Sequence, residues 1–324
     1  GWKDIVLEAF LPNSDITELD LNGHDVDLDG FVAMAQVLPY SKLKKINLEG
    51  WIGKALEAFL PSSDITELDL SCNGIDAEGA CALAVVLKDT KIIQLDLTWN
   101  NIGDEGARAL AKVLTDTQVT HLCLIRNSIG DEGARALAAV LKDTKITTLN
   151  LCYNDIGTEG ARVLAAVMKD AKIIQLDLTW NNIGDEGARA LVKVLADTQI
   201  THLYLDGNSI RDQGARALAA VLKDTKITAL NLCHNDIGDE GARTLAEELA
   251  DSQITDLDLA HNEITDEGAC ELAKVLGDTQ ITELNLSNNS IGAKGAKALA
   301  DVLPDTKITP QHQRLRSKGV GKRS

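Results

Sequence analysis

The segment IIQLDLTWNNIGDEGARALAKVL, residues 92–114, changes its hydrophobic period halfway along. Leu95 and Leu97 alternate with Asp96 and Thr98, which predicts a strand with one buried face. Ala107, Leu110, Ala111 and Leu114 then follow at i, i+3, i+4 and i+7, the apolar stripe of a helix. Asp104 is expected at the helix N-cap and Glu105 in the first turn, where a carboxylate favours the helix dipole. Gly106 and Ala107 are small, so the helix can approach the strand closely.

The same pattern recurs along the chain. The central strand leucine returns as Leu68, Leu95, Leu122, Leu149, Leu176, Leu203, Leu230, Leu257 and Leu284, always 27 residues apart. A unit this short cannot bury its apolar face alone, and stacked copies share one continuous core. Repetition therefore overrides the expectation of about two domains from a length of 324 residues. Asn73 and its equivalents through Asn289 follow each strand, where a buried amide can satisfy backbone groups of neighbouring coils. Residues 92–172 and 173–253 closely match, and Leu97-Thr98-Trp99-Asn100 returns as Leu178-Thr179-Trp180-Asn181. A block of three coils was duplicated, so Trp99 and Trp180 count as one observation.

The strand signature L-x-x-L-x-L-x-x-N and the helix signature G-A-x-x-L-A-x-x-L resemble the ribonuclease-inhibitor-like class of leucine-rich repeats. That class occurs in intracellular immune receptors and in bacterial and protist proteins. The resemblance covers about residues 16 to 308. It implies an α/β solenoid, a right-handed horseshoe with parallel strands on the concave face and helices on the convex face. For function it implies less, because inhibitors, receptors and GTPase activators share the class. This chain departs from the inhibitor itself, which is richer in cysteine and alternates two repeat types. The expected layout is a partial capping coil at residues 1–15, about eleven repeats at 16–308, and a basic, disordered tail at 309–324.

The ends break the pattern. His24 and Trp51 stand where asparagine is expected, and the second repeat is short. Gly1-Trp2 onward echoes Gly50-Trp51 onward, which predicts that the chain starts part-way through a coil of a longer protein. Pro310, Gln311 and His312 end the leucine pattern, and no acid follows Asp305, whereas Lys307, Arg314, Arg316, Lys318, Lys322 and Arg323 do. A solvated end that discourages edge pairing is expected there, with nuclear targeting or contact with anionic surfaces as the alternative.

The net charge of −17 argues against a general nucleic-acid binder, which needs clustered Lys and Arg. The acid pairs Asp104-Glu105, Asp131-Glu132, Asp185-Glu186, Asp239-Glu240 and Asp266-Glu267 all fall at helix starts, which accounts for much of that charge. No apolar run approaches the roughly 20 residues needed to span a bilayer. The repeat spacing separates Cys152 from Cys233 by three coils, too far for a disulfide, and a reduced, cytoplasmic protein is expected, in the host cytosol for a delivered effector.

No phosphate-binding loop, H-E-x-x-H or C-x-x-C motif is present. His121 and Cys123 share a strand face and could act as base and nucleophile, while His234 merely adjoins Cys233. No orienting acid is indicated beside either pair, so no catalytic residue, metal ligand or cofactor is expected. Binding is expected instead, by a protein partner on the concave face. The column between the strand leucines contributes Asp96, Asp177 and Tyr204; the column before the asparagine contributes Trp99, Arg126, Tyr153, Trp180, His234 and His261. Trp, Tyr and Arg dominate interface energetics, and Asp96 and Asp177 would match basic groups on the partner. Incidental packing of one inherited tryptophan is the competing reading. The expected function is a monomeric protein-binding scaffold or recognition module, such as a bacterial effector or receptor-like domain. The alternative is an enzyme regulator acting by contact, a GTPase activator or inhibitor.

Overall fold

The computed structural model describes residues 15–20, 42–47, 60, 63–308 and 313–314. The expectations for Gly1-Trp2, His24, Trp51, Pro310 and the last ten residues lie outside them. The chain divides into two compact units, Gly1–Asn154 and Asp155–Ser324.

In the first unit, β1 (Glu18–Asp20), β2 (Lys45–Asn47), β3 (Glu67–Asp69), β4 (Gln94–Asp96), β5 (His121–Cys123) and β6 (Thr148–Asn150) pair in parallel, each with its sequence neighbour. The register sets Leu95 against Leu122 and Leu122 against Leu149, so the buried leucines stack directly. The short second repeat does not disturb this, since Ile46 still pairs with Leu68. Helices α1 (Ala77–Leu87), α2 (Gly103–Leu114) and α3 (Asp131–Leu141) follow β3, β4 and β5.

The second unit repeats the plan. It contains α4 (Thr158–Met168), β7 (Gln175–Asp177), α5 (Gly184–Leu195), β8 (His202–Tyr204), α6 (Arg211–Ala219), β9 (Ala229–Asn231), α7 (Asp239–Leu249), β10 (Asp256–Asp258), α8 (Asp266–Val275), β11 (Glu283–Asn285), α9 (Ala293–Val302) and β12 (Gln313–Arg314). Its strands are also parallel and paired in sequence order. The sequence reading puts Gln313 and Arg314 in the tail, yet they form a strand against Leu284 and Asn285. The described strands thus number one more than the eleven expected repeats.

The core is aliphatic. Ala107, Leu110, Ala111 and Leu114 are all buried, as the helical stripe requires. A Cβ on Gly106 would lie 2.6 Å from the Ile102 side chain and 3.0 Å from Ala80 of the preceding coil, so only glycine lets α2 sit this close to α1.

Buried asparagines tie coil to coil. Asn100 Oδ1 accepts from the backbone N–H of Asn73 (3.0 Å) and Ile75 (2.8 Å), while its Nδ2 donates to the carbonyls of Leu70 (3.0 Å) and Leu97 (2.8 Å). Asn235 repeats the arrangement in the second unit. Asn181 departs from the expectation in being only half-buried.

A second recurrent polar group closes the turn after most of the described helices. The Thr144 hydroxyl donates to the Leu141 carbonyl (2.8 Å) and accepts from the Ile146 N–H (3.3 Å), within the buried interior. Thr117, Thr198, Thr225, Ser252 and Thr279 do the same. Ala171 stands at this place in one coil.

The expected N-cap role of Asp104 is corrected by the structure. Asp104 lies inside α2, and its Oδ1 accepts from the N–H groups of Gly130 and Gly133, both at 2.8 Å, at the start of α3. Asp212 caps α7 through Gly238 and Gly241, Asp239 caps α8 through Thr265 and Gly268, and Asp266 caps α9 through Gly292 and Gly295. Each carboxylate serves the next coil because stacking brings that helix's free N–H groups within its reach. Among the described helices, only α1 is capped by its own aspartate, Asp76 to Gly79 (2.9 Å).

Candidate partner-binding face

Two columns of side chains line the strand side of each unit. The first lies between the strand leucines. Asp96 Oδ1 accepts from the Thr98 N–H (2.8 Å) and Asp177 Oδ1 from the Thr179 N–H (2.9 Å). Asp69, Asn150, Asn231, Asp258 and Asn285 make the same bond two residues on. This local turn explains why the column is almost wholly Asp or Asn, the side chains that reach their own backbone two residues ahead. Tyr204 departs from the pattern: half-buried between Asp177 and Asn231 in register, its hydroxyl pKa is raised by burial and by Asp256 and Asp177.

The second column immediately precedes the asparagines, and its backbone is left-handed throughout. Cys72, Trp99, Arg126, Tyr153, Trp180, His234, His261 and Asn288 have φ between 50° and 57°, and Gly207 has 64°. Large L side chains rarely adopt this conformation, which costs on the order of 1–2 kcal/mol each. Glycine meets the geometry without that cost, as Gly207 demonstrates.

In the first unit this column forms a sandwich. The Arg126 guanidinium carbon lies 4.2 Å from the ring centre of Trp99 on one side and 4.2 Å from that of Tyr153 on the other. Both contacts are within cation–π range. Trp99 remains 54% exposed and Tyr153 40%. A shallow hollow of about 280 Å³ lies over the strands of the same unit, with Lys45, Asp69, Asp96, His121, Cys123 and Asn150 in its lining.

The second unit builds a different ladder from the duplicated tryptophan. Gly207 stands where Arg126 stands in the first copy, and Trp180 lies across it; a Cβ there would be 2.7 Å from the indole. The Trp180 ring reaches His234 at 5.3 Å, His234 stacks on His261 at 4.0 Å with 13° between planes, and Asn288 Nδ2 contacts His261 Nε2 at 2.8 Å.

The two thiol–imidazole pairs behave differently. Cys123 Sγ meets Thr98 Oγ1 at 3.1 Å, and His121 Nδ1 is engaged by Thr120 Oγ1 at 2.7 Å. Burial, then the Asp96 charge, pushes the Cys123 thiol up to about 11, which makes it a poor nucleophile at neutral pH. At the second pair, Cys233 Sγ lies 3.1 Å from His234 Nδ1. The expectation that no acid accompanies it is wrong: Asp206 Oδ1 lies 3.2 Å from the same nitrogen. That oxygen is buried and has no aligned hydrogen-bond donor. Burial raises the Asp206 carboxyl above the usual range, opposed by His234, and burial with the nearby carboxylates pushes the Cys233 thiol up to about 12.

All six cysteines are free, and among the described residues no helix is long and apolar enough to cross a membrane. No characterised protein sequence matches the chain significantly. Among solved structures, an internalin (inlF) from Listeria monocytogenes shares the fold at 19% identity and a TM-score of 0.55, over 94% of this chain and 87% of that one. TLR13, solved as a complex with ssRNA13, gives 18% identity and a TM-score of 0.56 over 87% of this chain and 37% of that chain. A chain of the yeast Rad7 and Elc1 complex gives 14% and 0.55, over 96% and 82% respectively. At these identities the likeness is one of fold. The family described as Leucine Rich repeat matches at residues 62–84, 88–111, 117–138, 142–165, 171–192, 197–219, 223–246, 252–273 and 278–300. These segments fall on successive coils and together span well over half of the chain, which therefore belongs to the leucine-rich repeat family.

Proposed function

We propose that this chain is a recognition module that holds a protein partner against its strand face, the side expected to be concave. The observation that carries this reading is the Trp99–Arg126–Tyr153 sandwich, exposed to water on a left-handed backbone. Large side chains here incur both backbone strain and apolar exposure, and a covering partner offsets both. Trp180, Tyr204, His234 and His261 offer contacts of the same kind in the second unit, and the carboxylate charges of Asp96 and Asp177 suit basic groups of the partner. A protein suits this face better than a nucleic acid, because a net charge of −17 opposes phosphate.

Within the family, the strand and helix signatures favour the ribonuclease-inhibitor-like class. Free cysteines favour a reducing cytoplasm, and a monomeric bacterial effector or receptor-like domain fits that setting. The chain works by contact, without a catalytic step of its own. A GTPase activator or enzyme inhibitor would use the same face.

The test compares the wild-type chain with a Trp99→Ala/Trp180→Ala double variant, first in affinity capture and then with the purified captured protein. Binding at least about tenfold weaker, or about 1.4 kcal/mol, is expected. Unchanged affinity in a variant with wild-type circular dichroism would remove this surface from consideration.

A further inference from the structure

The second unit brings three metal-ligating atoms together from two neighbouring coils. Asp206 occupies the position two before the coil asparagine, and Cys233 occupies the same position one coil later. Adjacent strand residues ordinarily point to opposite faces, but the left-handed backbone of His234 (φ 50°) breaks that alternation beside Cys233. One carboxylate oxygen of Asp206, Cys233 Sγ and one ring nitrogen of His234 all lie within 4.8 Å of one another. We propose that these three atoms form a binding site for a borderline-soft divalent metal ion of the zinc class, with a fourth position open to solvent.

The geometry fits without large movement. Tetrahedral zinc with ordinary bond lengths separates its ligand atoms by about 3.3–3.6 Å. The Sγ–Nδ1 and Nδ1–Oδ1 distances are 3.1 and 3.2 Å, so an ion would spread the set by a few tenths of an ångström. The buried Asp206 oxygen lacks an aligned donor, and a cation supplies the partner it wants. His234 is held in place by stacking on His261 and contact with Trp180, which limits the ordering cost of binding. Mixed sulfur, nitrogen and oxygen donors select zinc-like ions over calcium or magnesium.

The internal duplication supplies an independent comparison. In the first copy the equivalents of Asp206, Cys233 and His234 are Ile125, Cys152 and Tyr153. Both differences that complete the donor set occur together in one copy, and the shared cysteine alone makes no site.

Binding requires the His234 tautomer with its proton on Nε2, so that Nδ1 offers a lone pair. The Cys233 thiol proton passes to solvent as the metal–sulfur bond forms, leaving a thiolate and a carboxylate to balance the two positive charges.

The test titrates the full chain with Co²⁺ near neutral pH, then displaces it with Zn²⁺. One cobalt ion per chain and a thiolate-to-cobalt charge-transfer band in the near ultraviolet are expected. Cys233→Ser should abolish the band, and Asp206→Asn should weaken binding at least about tenfold. Cys152→Ser, altered at the equivalent position of the first copy, should bind as wild type. Should Cys233→Ser fail to fold, His234→Ala with Asp206→Asn supplies the same reading. Absence of saturable binding, or a band that survives Cys233→Ser, overturns the site. Partner docking plays no part in this measurement, so either proposal can fail alone.

Discussion

Replacing Asp212 with alanine should loosen the helix of the following coil and leave its own nearly untouched. Asp212 lies in the first turn of α6, yet its Oδ1 accepts from the N–H of Gly238 (2.8 Å) and Gly241 (2.9 Å) at the start of α7. No side chain of α7 performs this task, because the N-cap residue is Gly238. Loss of a capping side chain costs about 1 kcal/mol typically and about 2 at the upper end. One charged oxygen here holds two N–H groups in a partly buried place, so about 2 kcal/mol is the appropriate figure. In a stacked array that cost enters the interface between two neighbouring coils and spreads little further. Native-state hydrogen exchange reads it directly: amides 238–242 should exchange about 30-fold faster, the equivalent of 2 kcal/mol, while those of α6 change far less. Asp212→Asn keeps an accepting oxygen and should recover about half of the loss. Faster exchange confined to the first turn of α6, with Gly238 and Gly241 unchanged, would show that the carboxylate serves its own helix.

Two further perturbations follow from the polar groups that bind coils together. Asn235→Ala strands the buried N–H groups of Asn208 and Ile210, while the Leu205 and Cys233 carbonyls keep Asn208 Nδ2 and the Gly207 N–H, and should cost about 3–5 kcal/mol in urea unfolding. Asn181→Ala, at the half-buried equivalent, should cost visibly less; equal losses would mean that burial does not set the scale. Ala171→Thr should stabilise the chain by about 1 kcal/mol, by donating to the Met168 carbonyl as Thr144 does to Leu141. A lower melting temperature would instead report that the site cannot admit the larger side chain.

The fold was legible because its signal is translational. A 27-residue spacing of leucines fixes strand register, and register fixes which helix residues face inward, so Leu95, Ala107 and Leu110 could be assigned from sequence. Interactions that leave the coil were not legible by the same route. Asp104 has every local property of an N-cap, and only stacking shows that its acceptor faces the next helix. The Thr or Ser column recurs at the same 27-residue spacing, with Ala171 as its exception, yet a polar residue in a turn gives no sequence sign of being buried. Asp96 and Asp177 looked like free charges because their bond to the turn two residues on depends on local backbone geometry.

The candidate sites sharpen that distinction, since two copies of one sequence block have come to lie in different surroundings. Trp99 and Trp180 share their flanking residues and their left-handed backbone, so local sequence predicts the same surroundings for both. What separates them is the residue 27 positions later. Arg126 lies against one face of Trp99 and leaves the indole 54% exposed, whereas Gly207 lets Trp180 lie down and reach His234. The third member of the proposed metal site follows the same rule, because Asp206 precedes Cys233 by one coil. A reading along the chain sees Cys233 beside His234 and stops there. In a stacked repeat the chemically relevant neighbour is one period away, and candidate sites should be sought down the columns before along the chain.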